Sequence, residues 1–298
     1  DVEAAVIVSP AFRGKRYAVL GLARSGLATV RALVASGAHV VAWDGKDDAR
    51  ASVGDGVTLS DPLEIDLTGF DGVVVSPGVP INRHPIADKA HAANVPLIGD
   101  IELFSQARPG LPPHKVIGIT GTNGKSTTTA LIHHIVETAG IPARLGGNIG
   151  LPILGQEPLP EGGVYVLELS SYQIDLCHAL DCDIAVLLNI TPDHLDRYDG
   201  FADYAAAKER LFTMQHVDKV AVIATEDDRT KMIASRINHR LMRVSSKQVG
   251  DQSRWPSLQG PHNAQNVAAA RAVAEVLGIK ASTIEEALHT YPGLPHRM

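Results

Sequence analysis

Short apolar runs that stop at glycine or at a polar cluster recur along the chain, and stretches with apolar residues at helical spacing separate them. Tyr17 to Leu20 and Val40 to Trp43 read as strands, Leu27 to Ser36 between them as an amphipathic helix, and Gly72 to Val75 as a further strand. A strand, a helix and a strand in that order specify a parallel pair, with a ligand expected beyond the strands' carboxyl ends. The segment Gln106-Ala107-Arg108-Pro109-Gly110-Leu111-Pro112-Pro113-His114 has the proline and glycine density of a linker. Beyond it the alternation resumes. Val116 to Ile119, Val164 to Leu167, Ile184 to Leu188 and Val220 to Ile223 read as strands; Thr127 to Ala139, Tyr204 to Phe212, Asn263 to Leu277 and Thr283 to His289 read as helices. The pattern predicts an α/β protein of two domains: a Rossmann-like parallel-sheet domain over residues 1–108, then a doubly wound P-loop ATPase-like domain over residues 109–298.

Composition narrows the function more than the fold. A net charge of −6 argues against a nucleic-acid surface and suits an enzyme of small molecules. The two cysteines, Cys177 and Cys182, have no zinc-type spacing and read as buried thiols in a reducing compartment. No apolar stretch reaches membrane-spanning length, and the opening Asp1-Val2-Glu3 lacks the layout of a signal peptide, so a cytoplasmic protein without a membrane partner is expected. The absent initiator methionine reads as trimming.

The chemistry concentrates at Val116-Ile117-Gly118-Ile119-Thr120-Gly121-Thr122-Asn123-Gly124-Lys125-Ser126-Thr127, a buried strand breaking into glycines, then a lysine and hydroxyls at a helix mouth. Glycines let backbone N–H groups approach an anion, and the helix directs its positive end at it. Lys125 would neutralise terminal phosphates, and Ser126 or Thr127 would offer a hydroxyl to Mg²⁺. Ile119 stands where the strict phosphate-loop pattern has its first glycine, so this is a variant with Gly121-x-x-Gly124-Lys125-Ser126 at its centre.

Other groups leave alternatives open on spacing alone. Gly21-Leu22-Ala23-Arg24-Ser25-Gly26, followed by Asp44, could bind NAD, bind another nucleotide, or only pack a helix on a sheet. Glu168 at a strand end could hold Mg²⁺ or serve as a helix cap or surface charge. His194 lies among two acids and an arginine in Asn189-Ile190-Thr191-Pro192-Asp193-His194-Leu195-Asp196-Arg197, company that favours a ligand over a structural histidine. Lys208 reads by spacing as a solvated helix lysine. Asn263 and Asn266 share a helix face and could bond a base or cap their helix.

Taken in order, Gly99-Asp100-Ile101-Glu102-Leu103-Phe104, Gly121-Thr122-Asn123-Gly124-Lys125-Ser126-Thr127, Gly146-Gly147-Asn148-Ile149-Gly150, Leu167-Glu168-Leu169-Ser170-Ser171-Tyr172-Gln173, Asp193-His194-Leu195-Asp196-Arg197-Tyr198 and Gly293-Leu294-Pro295-His296-Arg297 resemble the Mur ligase family of ATP-dependent amide-forming enzymes. The resemblance spans essentially the whole chain, and the third and fourth runs favour the members that add D-glutamate. It implies that ATP phosphorylates the carboxylate of UDP-N-acetylmuramoyl-L-alanine, and that D-glutamate displaces the phosphate to form an amide. Gly121, Thr122, Asn123, Gly124, Lys125, Ser126 and Thr127 would then cradle ATP, with Asn263 and Asn266 near the adenine and Arg297 at the γ-phosphate. Ser126 and Glu168 would hold one Mg²⁺, and His194 a second, together with Lys208 after its carbamylation by CO₂, which reverses the spacing-based reading of that lysine. The uridine diphosphate end would lie on Arg24, Ser25, Asp44, Ser76, Pro77 and Gly78, with Asn148 and His194 also orienting this substrate. Gly45 replaces a small hydroxyl residue common in the family, which removes one hydrogen bond to uracil from the expectation.

The family also has a third domain after the Gly-Leu-Pro-His-Arg run. The chain ends at Met298, so the resemblance implies binding of the UDP-substrate, weak binding of ATP, little ligation and a monomer. The rival readings are a non-catalytic nucleotide sensor and an NAD-dependent oxidoreductase built on residues 21–44.

Overall fold

The computed structural model describes residues 5–192, 198 and 200–295. The chain divides into two compact units, one formed by Asp1–Leu111 with Leu151–Pro158 and Asp175–Leu180, the other by Pro112–Gly150, Leu159–Ile174 and Asp181–Met298.

In the first unit, β1 (Arg16–Leu20) leads through α1 (Arg24–Ala35) to β2 (His39–Trp43), and α2 (Asp47–Ala51) precedes the short β3 (Val57–Leu59). The chain then crosses to β4 (Gly72–Val75), α3 (Ile86–Ala92), β5 (Leu97–Ile98) and α4 (Asp100–Ala107). The sheet order is β3-β2-β1-β4-β5, and each neighbouring pair is parallel. Its winding reverses between β1 and β4, which opens a crevice at their carboxyl ends. β4 is buried on both faces, as its unbroken valines require. Helix α1 begins at Arg24, three residues before the expected start at Leu27, because the turn after β1 is short.

The second unit contains β6 (His114–Thr120), α5 (Lys125–Thr138), β7 (Ala143–Gly147), β8 (Gly163–Glu168), α6 (Ser171–Asp175) and β9 (Ile184–Leu187). It continues with α7 (Phe201–Thr213), β10 (Val220–Ala224), α8 (Asp228–Arg236), β11 (Arg240–Val244), α9 (Pro261–Val276) and α10 (Ala281–Thr290). The strand order is β11-β10-β9-β6-β8-β7, all parallel, so β6 stands inside the sheet, flanked by β8 and β9. Ile117 and Ile119 of β6 pack with Leu131, Ile135 and Val136 of α5 and Val267, Ala270 and Val273 of α9 in a closed core. The alanines of α9 let it approach α5 closely. Gly118 points to the opposite face, where a Cβ would lie 2.7 Å from Cys182 Sγ, so this glycine serves packing inside the strand rather than the loop. Both cysteines are buried thiols outside any disulfide, as their spacing suggested. Among the described residues no helix is long and apolar enough to cross a membrane.

Candidate active site at the phosphate loop

The loop between β6 and α5 closes on two glycines in conformations that side chains resist. Gly121 has φ +154°, and Gly124 has φ +86° with room for a Cβ denied by Asn266 Oδ1 at 2.5 Å. Helix α5 starts at Lys125 with no side-chain cap, so no side chain covers the N-terminal end that the loop presents. The sequence predicts an anion site here, and α5 begins two residues earlier than the start read at Thr127. Lys125 Nζ donates to the carbonyls of Gly121, at 2.8 Å, and Thr122, at 3.3 Å, which folds its charge back over the loop.

Ser126 and Glu168 meet. The serine hydroxyl donates to Glu168 Oε1 at 2.9 Å, although the two residues come from different elements 42 positions apart. Glu168 is 5% exposed, and its Oε2 is buried with no hydrogen-bond partner in the described structure. A buried carboxylate oxygen without a partner is costly unless a cation or donor arrives. The pair therefore suits a hard divalent ion, which takes oxygen ligands from hydroxyl and carboxylate. Glu168 is neither a surface charge nor the cap of α6. Among the described residues no group of three or more His, Cys, Asp or Glu could hold a metal by itself.

Lys208 overturns its spacing. It is 1% exposed, donates from Nζ to the Gly121 carbonyl at 3.0 Å, and lies 4.9 Å from the centre of the Tyr204 ring one turn earlier on α7. A helix lysine with small neighbours can be buried because those neighbours let α7 sit close to the loop. Tyr204, 1% exposed, also brings its hydroxyl to 3.1 Å from Thr122 Oγ1, which in turn accepts from Thr191 N at 3.0 Å. His194 and Arg297 lie outside the described residues.

Asn263 and Asn266 follow α9 on one face, but neither caps it: Gly260 occupies that position without a side-chain bond. Asn266 is 4% exposed, accepts from Thr128 Oγ1 at 3.0 Å, and donates to Asn263 Oδ1 at 3.2 Å. It braces the phosphate loop from behind. Gly147 ends β7 with φ +83°, where a Cβ would lie 1.9 Å from the Glu168 carbonyl. The exposed Asn148 donates its backbone N–H to that same carbonyl at 3.0 Å.

The first unit has its own strand-to-helix turn. A Cβ at Gly26 would fall 1.9 Å from the Gly21 carbonyl, so the last glycine of the turn is required for helix and strand to touch. Asp44 spends its carboxylate on backbone: Oδ2 accepts from Leu22 N at 2.8 Å and Oδ1 from Lys46 N at 2.9 Å. The Leu22 hydrogen bond above all holds this carboxyl below its ordinary range. Ser25, Gly26, Ser76, Pro77 and Asp100 border a cavity of about 10 Å³, room for one water. Arg24 and Gly78 are exposed nearby in the chain. Burial pushes the Asp100 carboxyl up to about 6. Asp100 was legible only as part of the Gly99 to Phe104 run, with no sign of this environment.

Sequence reasoning missed Asn189 altogether as a site residue. Its Oδ1 accepts from the backbone N–H groups of Thr122 and Asn123, at 3.1 and 2.8 Å. Its place at the head of a polar run after a buried strand was the available signal.

Residues 119–257 match the model of the Mur ligase middle domain. The chain is 67% identical over 296 residues to the UDP-N-acetylmuramoylalanine--D-glutamate ligase of Sphingopyxis alaskensis, covering 98% of this chain and 68% of that protein. It is 63% identical to the protein of the same name from Novosphingobium aromaticivorans, covering 98% and 67%. Among solved structures it resembles a UDP-N-acetylmuramate:L-alanyl-gamma-D-glutamyl-meso-diaminopimelate ligase from Neisseria meningitides, with TM-score 0.65 and 19% identity over 95% of this chain and 100% of that one. MurF from Acinetobacter baumannii gives TM-score 0.58 and 21% identity over 97% and 63%. At those identities the structural likeness speaks for the fold, whereas the two bacterial relatives speak for descent: the chain belongs to the Mur ligase family.

Proposed function

We propose that the protein is an ATP-dependent ligase that joins D-glutamate to UDP-N-acetylmuramoyl-L-alanine in the cytoplasmic synthesis of peptidoglycan precursors. Two relatives above 60% identity carry that name. The observation in the molecule that carries the chemistry is the Ser126–Glu168 pair with its unpartnered carboxylate oxygen at the mouth of the phosphate loop.

In this reading the substrate carboxylate attacks the γ-phosphorus of ATP, ADP leaves, and an acyl phosphate forms. The amine of D-glutamate then attacks the acyl carbon, and phosphate departs from the tetrahedral adduct. Negative charge gathers in both steps, so positioned donors and cations do most of the work. Lys125 would exchange the Gly121 and Thr122 carbonyls for phosphate oxygens, and the first-turn N–H groups of α5 would complete the cradle. Mg²⁺, held by Ser126 and Glu168 and at a second position by His194 and carbamylated Lys208, would supply further charge neutralisation. Arg297 would reach the γ-phosphate, and Asn263 and Asn266 would serve the adenine end. Arg24, Ser25, Asp44, Ser76, Pro77 and Gly78 would receive the uridine diphosphate, and Asn148 would orient the rest of that substrate.

Glu168→Gln tests the cation role, because the amide keeps an acceptor for Ser126 and loses the charge. Mg²⁺ should tighten ATP binding to the wild-type protein, and about ten-fold of that gain should vanish in the variant, measured by calorimetric titration with and without Mg²⁺. An equal Mg²⁺ effect in both proteins removes Glu168 from the metal site.

A further inference from the structure

Asn189 is the first member of a chain of side-chain amides whose orientation is forced at each step. A backbone N–H only donates, so the atom that meets Thr122 N and Asn123 N must be Oδ1. Nδ2 therefore faces the other way and donates to the Asn123 carbonyl and to Gln265 Oε1, each at 2.9 Å. With its oxygen so occupied, Gln265 directs Nε2 at Glu226 Oε2, at 2.6 Å. The other carboxylate oxygen of Glu226 accepts from Ser246 N at 3.2 Å and Ser245 Oγ at 3.3 Å, and from the Ser246 hydroxyl. Burial raises the pKa of this carboxyl, but the hydrogen bonds from Ser246 and Gln265 outweigh it, so Glu226 stays ionised.

We propose that Asn189, Gln265 and Glu226 form a polarised relay that fixes the backbone of Thr122 and Asn123 and makes the shape of the phosphate loop depend on helix α9. The inference rests on the nucleotide-binding reading of the loop. Hydrogen bonds in series strengthen one another, and an anion at the acceptor end draws each amide in the same direction. Asn189 thereby presents a stronger acceptor to the loop. Gln265 leaves α9 between Asn263 and Asn266, so whatever orders that helix also orders the loop. These are positioning residues: none is asked to touch the reacting atoms.

The test uses this chain with Mg·ATP and Mg·tripolyphosphate as probes, UDP as a control ligand, and amide hydrogen exchange at Thr122 and Asn123 without any ligand. Asn189→Ala should weaken both phosphate probes about ten-fold, Gln265→Met about three- to ten-fold and Glu226→Gln about two-fold, with UDP unchanged. The double variant that combines Asn189→Ala with Gln265→Met should bind less than about two-fold more weakly than Asn189→Ala alone, since one relay is broken only once. Exchange at Asn123 should quicken in Asn189→Ala and Gln265→Met while the melting temperature holds; Thr122 N–H also donates to the Asn189 main-chain carbonyl at 3.0 Å, a bond both variants keep, and should change less. Asn189 and Gln265 are only partly buried, so neither substitution opens the core. Unchanged exchange and additive losses overturn the relay. A wild-type chain that binds neither phosphate probe overturns the nucleotide reading instead, and the exchange rates then decide the relay by themselves.

Discussion

The two strand-to-helix turns of this molecule share a backbone plan and differ in what stands around it. After β1, Gly21 has φ +97° and Gly26 meets the Gly21 carbonyl; after β6, Gly121 and Gly124 take positive φ and α5 starts at once. The first turn is stiffened by an acid, since Asp44 accepts from Leu22 N, and it is bordered by hydroxyls from Ser25 and Ser76. The second is stiffened by a neutral amide, Asn189, and surrounded by ionisable groups: Lys125, Lys208 and Glu168. A diphosphate that is only held needs dipoles and little else, whereas a phosphate that is to be transferred needs mobile cations and a carboxylate able to take a metal. On the proposed function, the same fold element would serve as a handle in one unit and carry a reaction in the other.

The sharpest way to break this comparison is at Gly26. Gly26→Ala should destabilise the first unit by about 2–3 kcal/mol, because a backbone carbonyl stands where the methyl must go. UDP binding should fall with it while the thermal transition of the second unit is unmoved, read by calorimetry. A variant as stable as the wild type would mean that α1 can shift and that the close approach is not required. Lys125→Ala probes the other turn. Mg·ATP affinity should drop about 10- to 100-fold with UDP affinity intact, as expected for one charge-assisted phosphate contact. A loss of less than about two-fold would make the two turns equivalent in charge and remove the distinction drawn above.

The smallest effect is expected at Asp44. Its folded pKa lies below the ordinary 3.8, so it contributes stability that is complete above that value and is lost as pH falls through the depressed folded pKa. Asp44→Asn keeps one acceptor and should cost about 1 kcal/mol at neutral pH, with a flatter decline of stability below about pH 4. Parallel acid-unfolding curves for the two proteins would exclude the carboxylate as the turn's brace.

Much of this protein is determined by its sequence alone. The spacing of apolar runs specifies parallel α/β units, because strands buried on both faces must be nearly continuous in Val, Ile and Leu, as β4, β6 and β8 are. The glycine, lysine and hydroxyl order predicts an anion site at the start of α5, since each of those residues would act through its own backbone or its own side chain. What only the tertiary structure decided are the relations between distant residues. Lys208 changes from solvated to buried because α7 packs against a loop 87 positions away, and periodicity counts neighbours along the helix but not across the sheet. Ser126 meets Glu168, and Asn189 meets Gln265, for the same reason: sheet order brings strand ends together that the chain keeps far apart.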